Sequence, residues 1–216
     1  LPRPLPAAPP PPAREVRVRD LGPVFRVPTD DPVIFLTADD GYEKDPRFLA
    51  LLRDLHVPVS AFLTHHAARS DYGYFRRLKL LGNAVHNHTV THPELPRLSY
   101  AGQRREICRQ QRILDRELGR APRMFRPPFG AYDADTVRAA RACGVRTMVL
   151  WSVEAWADRV EFDPPQTRLR PGDIVLTHFR GPREWGGTMV DMARRILGMA
   201  AEQGLAVARL EDYLAG

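Results

Sequence analysis

Short apolar runs alternate with amphipathic stretches along the chain from Pro32 onward. The runs are rich in β-branched residues and predict buried strands, while the stretches between them have the spacing of helices with one apolar face. The predicted strands cover 33–37, 58–63, 83–87, 146–151, 173–178 and 206–210. About six or seven strand–helix units in succession favour an α/β domain with a largely parallel sheet, either closed into a barrel or open with helices outside.

Start and stop residues bound four of the predicted helices. A proline lies in the first turn of 46–55, and a serine cap and Gly119 delimit 99–118. A third helix covers 133–144 from an aspartate cap, and the fourth covers 188–203. Because capping residues satisfy backbone groups that helix ends leave free, these positions predict where the helices begin.

The first twelve residues contain seven prolines and no periodic apolar pattern. This composition is typical of an extended linker, so we divide the chain into a linker and lead-in at 1–30 and one domain at 31–216. A start in this segment, without methionine, leads us to expect an upstream signal or anchor. No apolar run approaches the ~20 residues that cross a bilayer, so we expect no transmembrane segment.

The formal net charge of +6 comes almost wholly from arginine, since Lys44 and Lys79 are the only lysines. A basic balance permits an acidic partner such as nucleic acid, anionic lipid or an anionic wall polymer. Abundant alanine and proline instead indicate a coding bias, and the arginine-rich segment 97–123 is typical of a solvated helix face. We therefore expect no nucleic-acid binding, although that face could accept an anionic polymer.

The chain has two cysteines, Cys108 and Cys143, which are too few for a disulfide scaffold and wrongly spaced for a zinc ribbon. One interpretation makes both of them small core residues. Because each falls late in a separate predicted helix, the other interpretation is a single bridge between neighbouring helices in an oxidising compartment. The sequence leaves both open.

Two adjacent acids, Asp39 and Asp40, precede Gly41 at the carboxyl end of the predicted strand 33–37. That end of a parallel sheet forms the ligand-binding face of α/β proteins, so the pair is well placed for metal binding or acid–base chemistry. The alternative is a plain turn, because Asp-Gly is a common turn dipeptide. On this pair alone the two interpretations are balanced.

Three histidines also stand at the ends of predicted strands. His88 and His92 lie four residues apart after 83–87, where one turn of helix would align them, and His178 ends the strand 173–178. Two imidazoles and one carboxylate supply three protein ligands and leave a position for water, which is the arrangement of a catalytic zinc-type site. Two histidines at this spacing are, by themselves, incidental at least as often as they are ligands. The third histidine, His178, strengthens the prediction of a metal site.

Arg126 begins the segment RPPFG at 126–130, where two prolines restrict its backbone. An arginine next to a carboxylate keeps the acid ionised and orients it through paired hydrogen bonds. The alternative is a strand-ending turn at the two prolines, with Arg126 facing water.

These segments, taken in order, resemble the motifs of the polysaccharide deacetylase family, the NodB-like domains also known as carbohydrate esterase family four. TADDG at 37–41 resembles the first motif, HTVTH at 88–92 the second, RPPFG the third and LTH at 176–178 the fifth. Together they cover about 32–214, and the first, second and fifth stand at predicted strand ends. The resemblance implies a distorted (β/α) barrel with about seven strands.

The resemblance also implies a metal-dependent deacetylase acting outside the cell, with one divalent ion, zinc or else cobalt. The ion would be held by Asp40, His88 and His92. Asp39 would be the base that activates water, and His178 would be the acid that protonates the leaving amine.

The remaining implied roles concern orientation and substrate contact. Arg126 would orient Asp39, and the backbone N–H of Phe129 would be a second donor to the developing oxyanion. The rings of Trp151 or Trp156 could contact the sugar. The partner would be an acetylated polysaccharide or oligosaccharide, bound by a monomer.

The chain departs from the family's pattern in its first and fourth motifs. Ala38 stands where phenylalanine is usual, with little effect expected on the chemistry. The fourth motif usually has two aspartates and a tryptophan, whereas this chain reads WSVEAWAD at 151–158, with Ala157 where an acid would tune His178. The candidate substitutes for that acid are Glu154, Asp158 and Asp173.

Removal of N-acetyl groups from an aminosugar polymer is the implied reaction, with peptidoglycan, chitin-like and exopolysaccharide substrates all open. An O-acetyl (xylan) esterase is the nearest alternative, because an alcohol leaves more readily than an amine and needs less help from an acid. A carbohydrate-binding protein of the same fold without turnover is an alternative of another class. The presence of Asp39 disfavours it, since binding alone does not need a base.

Overall fold

The computed structural model describes residues 4–12 and 22–214. A mostly parallel sheet runs through this part of the chain and curls into a distorted barrel, with helices packed along it. The predicted α/β fold is therefore confirmed.

The strands are β1 (Pro23–Val24), β2 (Val33–Asp40), β3 (Ser60–Leu63), β4 (Ala84–Asn87), β5 (Met124–Phe125), β6 (Thr147–Val149), β7 (Val153–Ala155), β8 (Val160–Phe162), β9 (Ile174–His178) and β10 (Ala206–Val207). The helices are α1 (Pro46–Leu55), α2 (His65–Ala68), α3 (Tyr72–Leu80), α4 (Tyr100–Leu118), α5 (Ala134–Ala142), α6 (Pro182–Trp185) and α7 (Met189–Glu202).

The strands follow the order β1-β6-β5-β4-β3-β2-β9-β7-β8, and β10 pairs with β2 outside that path. Neighbouring strands are parallel except β7 and β8, which are antiparallel. Each of the six predicted strands is present. The four strands that the sequence did not predict are β1, β5, β7 and β8, which have only two or three residues each. Runs of that length are too short for hydrophobic alternation to reveal.

The four predicted helices begin where the sequence indicated. The side chains of Asp45, Ser99, Asp133 and Thr188 each accept a hydrogen bond from a backbone N–H in the first turn of α1, α4, α5 and α7. These bonds satisfy donors that have no partner within the helix. Gly119 ends α4 with a φ of 77°, a left-handed conformation that glycine adopts without strain. The helices α2, α3 and α6 were not predicted.

Strand β2 is buried along its whole length because both faces of the sheet are covered. Phe35 packs with Phe62 and Ile174 on the inner face of the curl, whereas Ile34 and Leu36 pack against helices on the outer face. Since side chains alternate between the two faces, this packing fixes the register of β2 against its neighbours. The residues at its carboxyl end are placed accordingly.

Cys108 and Cys143 form a disulfide that joins α4 to the carboxyl end of α5. Both residues are half-buried. The interpretation that they are two separate core residues is therefore wrong, and the interpretation as a bridge between helices is confirmed.

The opening stretch is described only in part. Residues 4–12 form neither helix nor strand, and Leu5 packs against the core on the outer face of the sheet. The rest of the predicted linker, at 1–3 and 13–21, lies outside the described residues, while Pro23 of the predicted lead-in already belongs to β1. No helix within the described ranges is long and apolar enough to cross a membrane.

Candidate active site

Parallel strands bring the predicted site residues to one edge of the barrel. Asp39 and Asp40 end β2, His178 ends β9, and His88 and Arg126 directly follow β4 and β5. The four strands belong to one parallel set, so their carboxyl ends meet at the same edge. The predicted acids, histidines and arginine thus form one cluster.

Asp40, His88 and His92 offer three ligand atoms that all lie within 4.8 Å of one another. The Nε2 atoms of His88 and His92 are 3.9 Å and 3.6 Å from Asp40 Oδ1. His88 Nδ1 lies 2.7 Å from the backbone carbonyl oxygen of Arg126, so Nδ1 donates and Nε2 presents its lone pair to the carboxylate. One carboxylate and two imidazoles, one with a fixed tautomer, fit a divalent ion such as zinc.

The protonation of these three residues also suits a metal ion. Burial lowers the pKa of His88 to about 4, and burial together with the charge of His88 lowers the pKa of His92. Neutral imidazole is the form that binds a metal. Burial alone would raise the pKa of Asp40, but the charges of His88, His178, His92 and Arg180 outweigh it and hold that pKa below its usual range.

The two histidines are held by a loop, and the helical turn predicted between them is wrong. Thr89 and His92 have positive φ angles of 71° and 61°, which no regular helix contains. Asn87 Oδ1 accepts a hydrogen bond from the N–H of Thr89, and Glu106 Oε2 accepts one from the N–H of Val90. Side chains therefore replace helical backbone bonds in this segment.

The side chain of Arg126 is fully buried and donates four hydrogen bonds. Its Nη1 donates to Asp39 Oδ1 at 2.7 Å and to Thr37 Oγ1 at 2.9 Å. Its Nε and Nη2 donate to the carbonyl oxygens of Val149 and Leu150. The interpretation that Arg126 faces water is wrong, since the guanidinium is fixed inside the barrel and fixes the Asp39 carboxylate in turn.

Asp39 is a buried carboxylate with a perturbed pKa. Burial raises the pKa of its carboxyl, and the charges of Arg126 and His178 oppose that rise. Oδ1 is bound by Arg126, while Oδ2 lies 3.5 Å from His88 Nε2, beside the three candidate ligands. One oxygen is thus anchored, and the other lies beside the residues that could hold a metal ion.

Of the three acids proposed to tune His178, Glu154 is the one nearest to it. Glu154 Oε1 lies 3.9 Å from His178 Nδ1, which is ion-pair distance and too long for a hydrogen bond. Asp158 and Asp173 bond to other side chains. Burial raises the pKa of Glu154 to about 7 and lowers the pKa of His178. Near neutral pH, Glu154 is partly ionised beside the imidazole.

Aromatic rings stand around the cluster. Phe129 is 67% exposed, and its ring centroid lies 4.6 Å from that of His92. The Trp156 ring lies 6.0 Å from the ring of His178 and 6.0 Å from that of Trp185. Trp185, on α6, was missed by the sequence analysis because it belongs to none of the recognised motifs.

Trp151 occupies a different position from the other two predicted aromatic residues. Its ring lies 5.7 Å from the guanidinium carbon of Arg126, which stacks more closely over Phe62 at 4.3 Å. Trp151 also packs against the core on the inner face of the sheet. Gly130 has a φ of 67°, and a Cβ atom there would lie 3.0 Å from the Trp151 ring, so another residue would be strained in its backbone and crowded by that ring. The structure thus places Trp151 against Arg126.

Arg180 is a further residue of the site that the sequence analysis missed. Its Nη2 lies 2.6 Å from Asp40 Oδ2, and its Nη1 lies 2.9 Å from Glu184 Oε2. Its guanidinium carbon stacks 4.6 Å from the centre of the Tyr42 ring. One arginine in an arginine-rich chain gives no local signal of such a contact.

The chain is similar to known proteins in both sequence and fold. A sequence profile of the family described as polysaccharide deacetylase matches residues 26–148. An uncharacterized protein of Streptomyces coelicolor is 44% identical over 200 residues, which cover 92% of this chain and 80% of the relative. A chitooligosaccharide deacetylase of Bradyrhizobium is 32% identical over 154 residues, which cover 67% of this chain and 69% of that enzyme.

Solved structures share the fold. A peptidoglycan N-acetylglucosamine deacetylase matches with a TM-score of 0.76 and 25% identity, over 89% of this chain and 92% of the other. A CE4 family pseudoenzyme from Bacillus anthracis matches with a TM-score of 0.70 and 22% identity, over 89% and 68% of the two chains. The second match bears on the fold alone.

Proposed function

We propose that this chain, which belongs to the polysaccharide deacetylase family, is a metal-dependent hydrolase that removes N-acetyl groups from an extracellular aminosugar polysaccharide. One observation carries the proposal. The Asp39–Arg126 pair, the three-ligand set and His178 meet at the carboxyl edge of one parallel sheet. The related chitooligosaccharide and peptidoglycan deacetylases support an aminosugar polymer as the substrate.

Asp40, His88 and His92 are the residues proposed to hold one divalent ion, zinc or else cobalt. Their donor set and the fixed tautomer of His88 fit such an ion. A divalent ion bound there would lower the pKa of water and polarise a carbonyl oxygen. The protein's share is to supply neutral imidazoles and an ionised carboxylate, with Asp40 and His88 almost fully buried.

Asp39 is the proposed base. A water molecule attacks the carbonyl carbon of the acetyl group, and its proton passes to Asp39 Oδ2, the oxygen not bound by Arg126. Burial raises the pKa of Asp39, so the carboxylate has more affinity for that proton than an exposed aspartate would. Arg126 keeps the carboxylate in position throughout.

His178 is the proposed acid. As the carbon–nitrogen bond breaks, the leaving nitrogen takes a proton from the imidazole, so that acetate and a free amine are the products. Glu154 lies near Nδ1, which leaves Nε2 as the atom proposed to donate. Glu154 would stabilise the protonated imidazole in place of the aspartate usual in the family's fourth motif.

The sugar would lie between the rings that border this cluster. Phe129 lies beside His92, and Trp156 lies beside His178. The backbone N–H of Phe129 is proposed as a donor to the developing oxyanion. Trp151 is assigned a smaller part in substrate contact, because it packs against Arg126.

An extracellular or cell-surface location, with the chain acting as a monomer, completes the proposal. The disulfide between Cys108 and Cys143 supports it, because such bonds persist in oxidising compartments. Peptidoglycan, chitin-like polymers and exopolysaccharides are the candidate substrates.

An O-acetyl esterase is the second candidate, and the Glu154–His178 distance of 3.9 Å favours it. Without a hydrogen-bonded carboxylate, the protonated imidazole is less stabilised, so a smaller fraction of His178 carries the proton that it must donate. Release of an alcohol requires less protonation than release of an amine, so an ester substrate would tolerate this geometry better.

Acetate release from a panel of N-acetylated and O-acetylated glycans tests both candidates. The protein is stripped with a chelator, resupplied with zinc or cobalt, and compared with Asp39→Asn. Asp54→Asn, at an exposed residue paired with Arg53, makes the same chemical change outside the site. Metal-dependent release lost in Asp39→Asn and kept in Asp54→Asn is expected. Sugar binding without release from any glycan would overturn the proposal and favour a binding protein of this fold.

A further inference from the structure

Asp40 uses its two carboxylate oxygens for different partners. Oδ1 faces the Nε2 atoms of His88 and His92, at 3.9 Å and 3.6 Å. Oδ2 points the other way and lies 2.6 Å from Arg180 Nη2. The aspartate side chain is almost fully buried, while that of Arg180 is 28% exposed, so Arg180 stands between Asp40 and solvent.

Arg180 is itself held from two further sides. Glu184 Oε2 accepts a charge-assisted bond from Nη1 at 2.9 Å, and the Tyr42 ring lies under the guanidinium. A guanidinium fixed in this way can hold a carboxylate oxygen in a defined place, because its donors have a rigid planar arrangement. Arg180 is therefore built into the fold and does not extend freely from the surface.

We infer that Arg180 is a positioning residue for metal binding, which holds Asp40 Oδ2 so that Oδ1 faces the two histidines. The inference rests on the proposed function, since it assigns Asp40 as a ligand. Side chains that hydrogen-bond to a ligating carboxylate set its orientation, and their loss typically weakens metal binding 10–100-fold. Sequence motifs gave no role to Arg180, which lies two residues after His178.

The positive charge of Arg180 provides a competing expectation of opposite sign. If the guanidinium acted mainly as a rival cation for Asp40, its removal would tighten metal binding. The split use of the two oxygens argues against this, because the oxygen that faces the histidines is not the one that Arg180 binds.

Zinc affinity of the chelator-stripped protein, measured by competition with a chromophoric chelator, tests the inference without any substrate. Arg180→Ala is expected to weaken zinc binding by about 10–100-fold, and Arg180→Lys, which keeps the charge but not the fork, is expected to recover part of the loss. Arg183→Ala, at an exposed arginine of α6 that lies three residues further along the chain, is the matched control and should stay within about twofold of wild type. The absorption spectrum of bound cobalt should change shape in Arg180→Ala and stay unchanged in the Arg183→Ala control.

The outcomes separate the two proposals. Unchanged or tighter zinc binding by Arg180→Ala, with normal binding by the wild type, overturns the inference and leaves the proposed function standing. A wild type that binds no zinc or cobalt overturns the proposed metal site and this inference together. Thermal unfolding of each variant identifies a loss of affinity that is due to misfolding, and Arg180→Lys then decides the inference.

Discussion

Asp39 and His178 are Cα partners on the neighbouring parallel strands β2 and β9, and the N–H of Phe179 donates to the carbonyl oxygen of Asp39. The register of β2 against β9 therefore determines the relative position of the proposed base and the proposed acid. Thr37 Oγ1 adds a hydrogen bond to the carbonyl oxygen of Val175 within the same pair of strands. A slip of one residue would turn either side chain to the other face of the sheet, so the buried packing of β2 determines the geometry of the site.

Arg126→Ala should lower the free energy of unfolding by about 3–5 kcal/mol, because the buried Asp39 carboxylate would lose its charged partner. Urea unfolding at neutral pH measures the loss. Arg53→Ala removes an arginine that is exposed and paired with an exposed Asp54, and it should change the free energy by less than about 1 kcal/mol. Equal effects of the two substitutions would contradict this account of Arg126.

Glu154→Gln should gain stability relative to the wild type as the pH rises from 4.5 to about 7. The pKa of Glu154 is about 7 in the folded protein and 4.5 as its ordinary value, so the folded state binds the proton more tightly. Protonated Glu154 therefore contributes to the free energy of unfolding of the wild type. This contribution is full below pH 4.5 and is lost as the pH rises through 7. The relative gain should reach at most about 3 kcal/mol.

Unfolding curves of the wild type and Glu154→Gln between pH 4 and 8.5 measure this difference. Glu202→Gln, at an exposed residue of α7, provides the same chemical change elsewhere. A difference between wild type and Glu154→Gln that stays constant over this pH range would show that burial does not raise the pKa of Glu154.

Removal of the disulfide through Cys108→Ser together with Cys143→Ser should cost about 4 kcal/mol, because the bridge spans a sequence separation of 35 residues. Urea unfolding with and without dithiothreitol measures the cost. Reductant should destabilise the wild type by a similar amount and leave the double variant unchanged. The prediction is wrong if reductant leaves the free energy of unfolding of the wild type unchanged although a thiol assay shows that both cysteines have been reduced.

Zinc should raise the melting temperature of the stripped protein, since a ligand that binds only the folded state stabilises it by about 2.7 kcal/mol at one hundred times its dissociation constant. His92→Gln removes one of the three ligand atoms and should abolish most of the rise. His66→Gln changes an exposed histidine and should keep it. The same rise in both variants would locate the zinc elsewhere.

The sequence predicted those parts of the fold that local chemistry determines. Six strands, the beginnings of four helices and the position of Asp39 and Asp40 at a strand end follow from apolar runs, capping residues and turn residues. Short strands such as β5 and β7 depend on pairing with distant segments, which no local pattern reports. The loop between His88 and His92 was misread as helical because the side chains of Asn87 and Glu106 supply its hydrogen bonds.

Contacts between distant residues explain what remained unpredicted at the site. Arg180 reaches Asp40 across 140 residues of sequence, and Glu154 was only one of three acids that could have neighboured His178. Which arginine or acid is used depends on how β9 and β7 pack together, and thus on the whole sheet. Residues of a recognised motif were predictable, and the residues that support them were not.

The bridge between α4 and α5 makes a closed covalent ring of the chain from Cys108 to Cys143, and Arg126 lies inside that ring. The exposed residues 119–121 also lie within it. A protease that cuts there would leave both fragments tethered, with α4 and α5 still holding the Arg126 segment between them. In an environment rich in hydrolases, a nicked molecule would therefore keep its parts together until it was reduced.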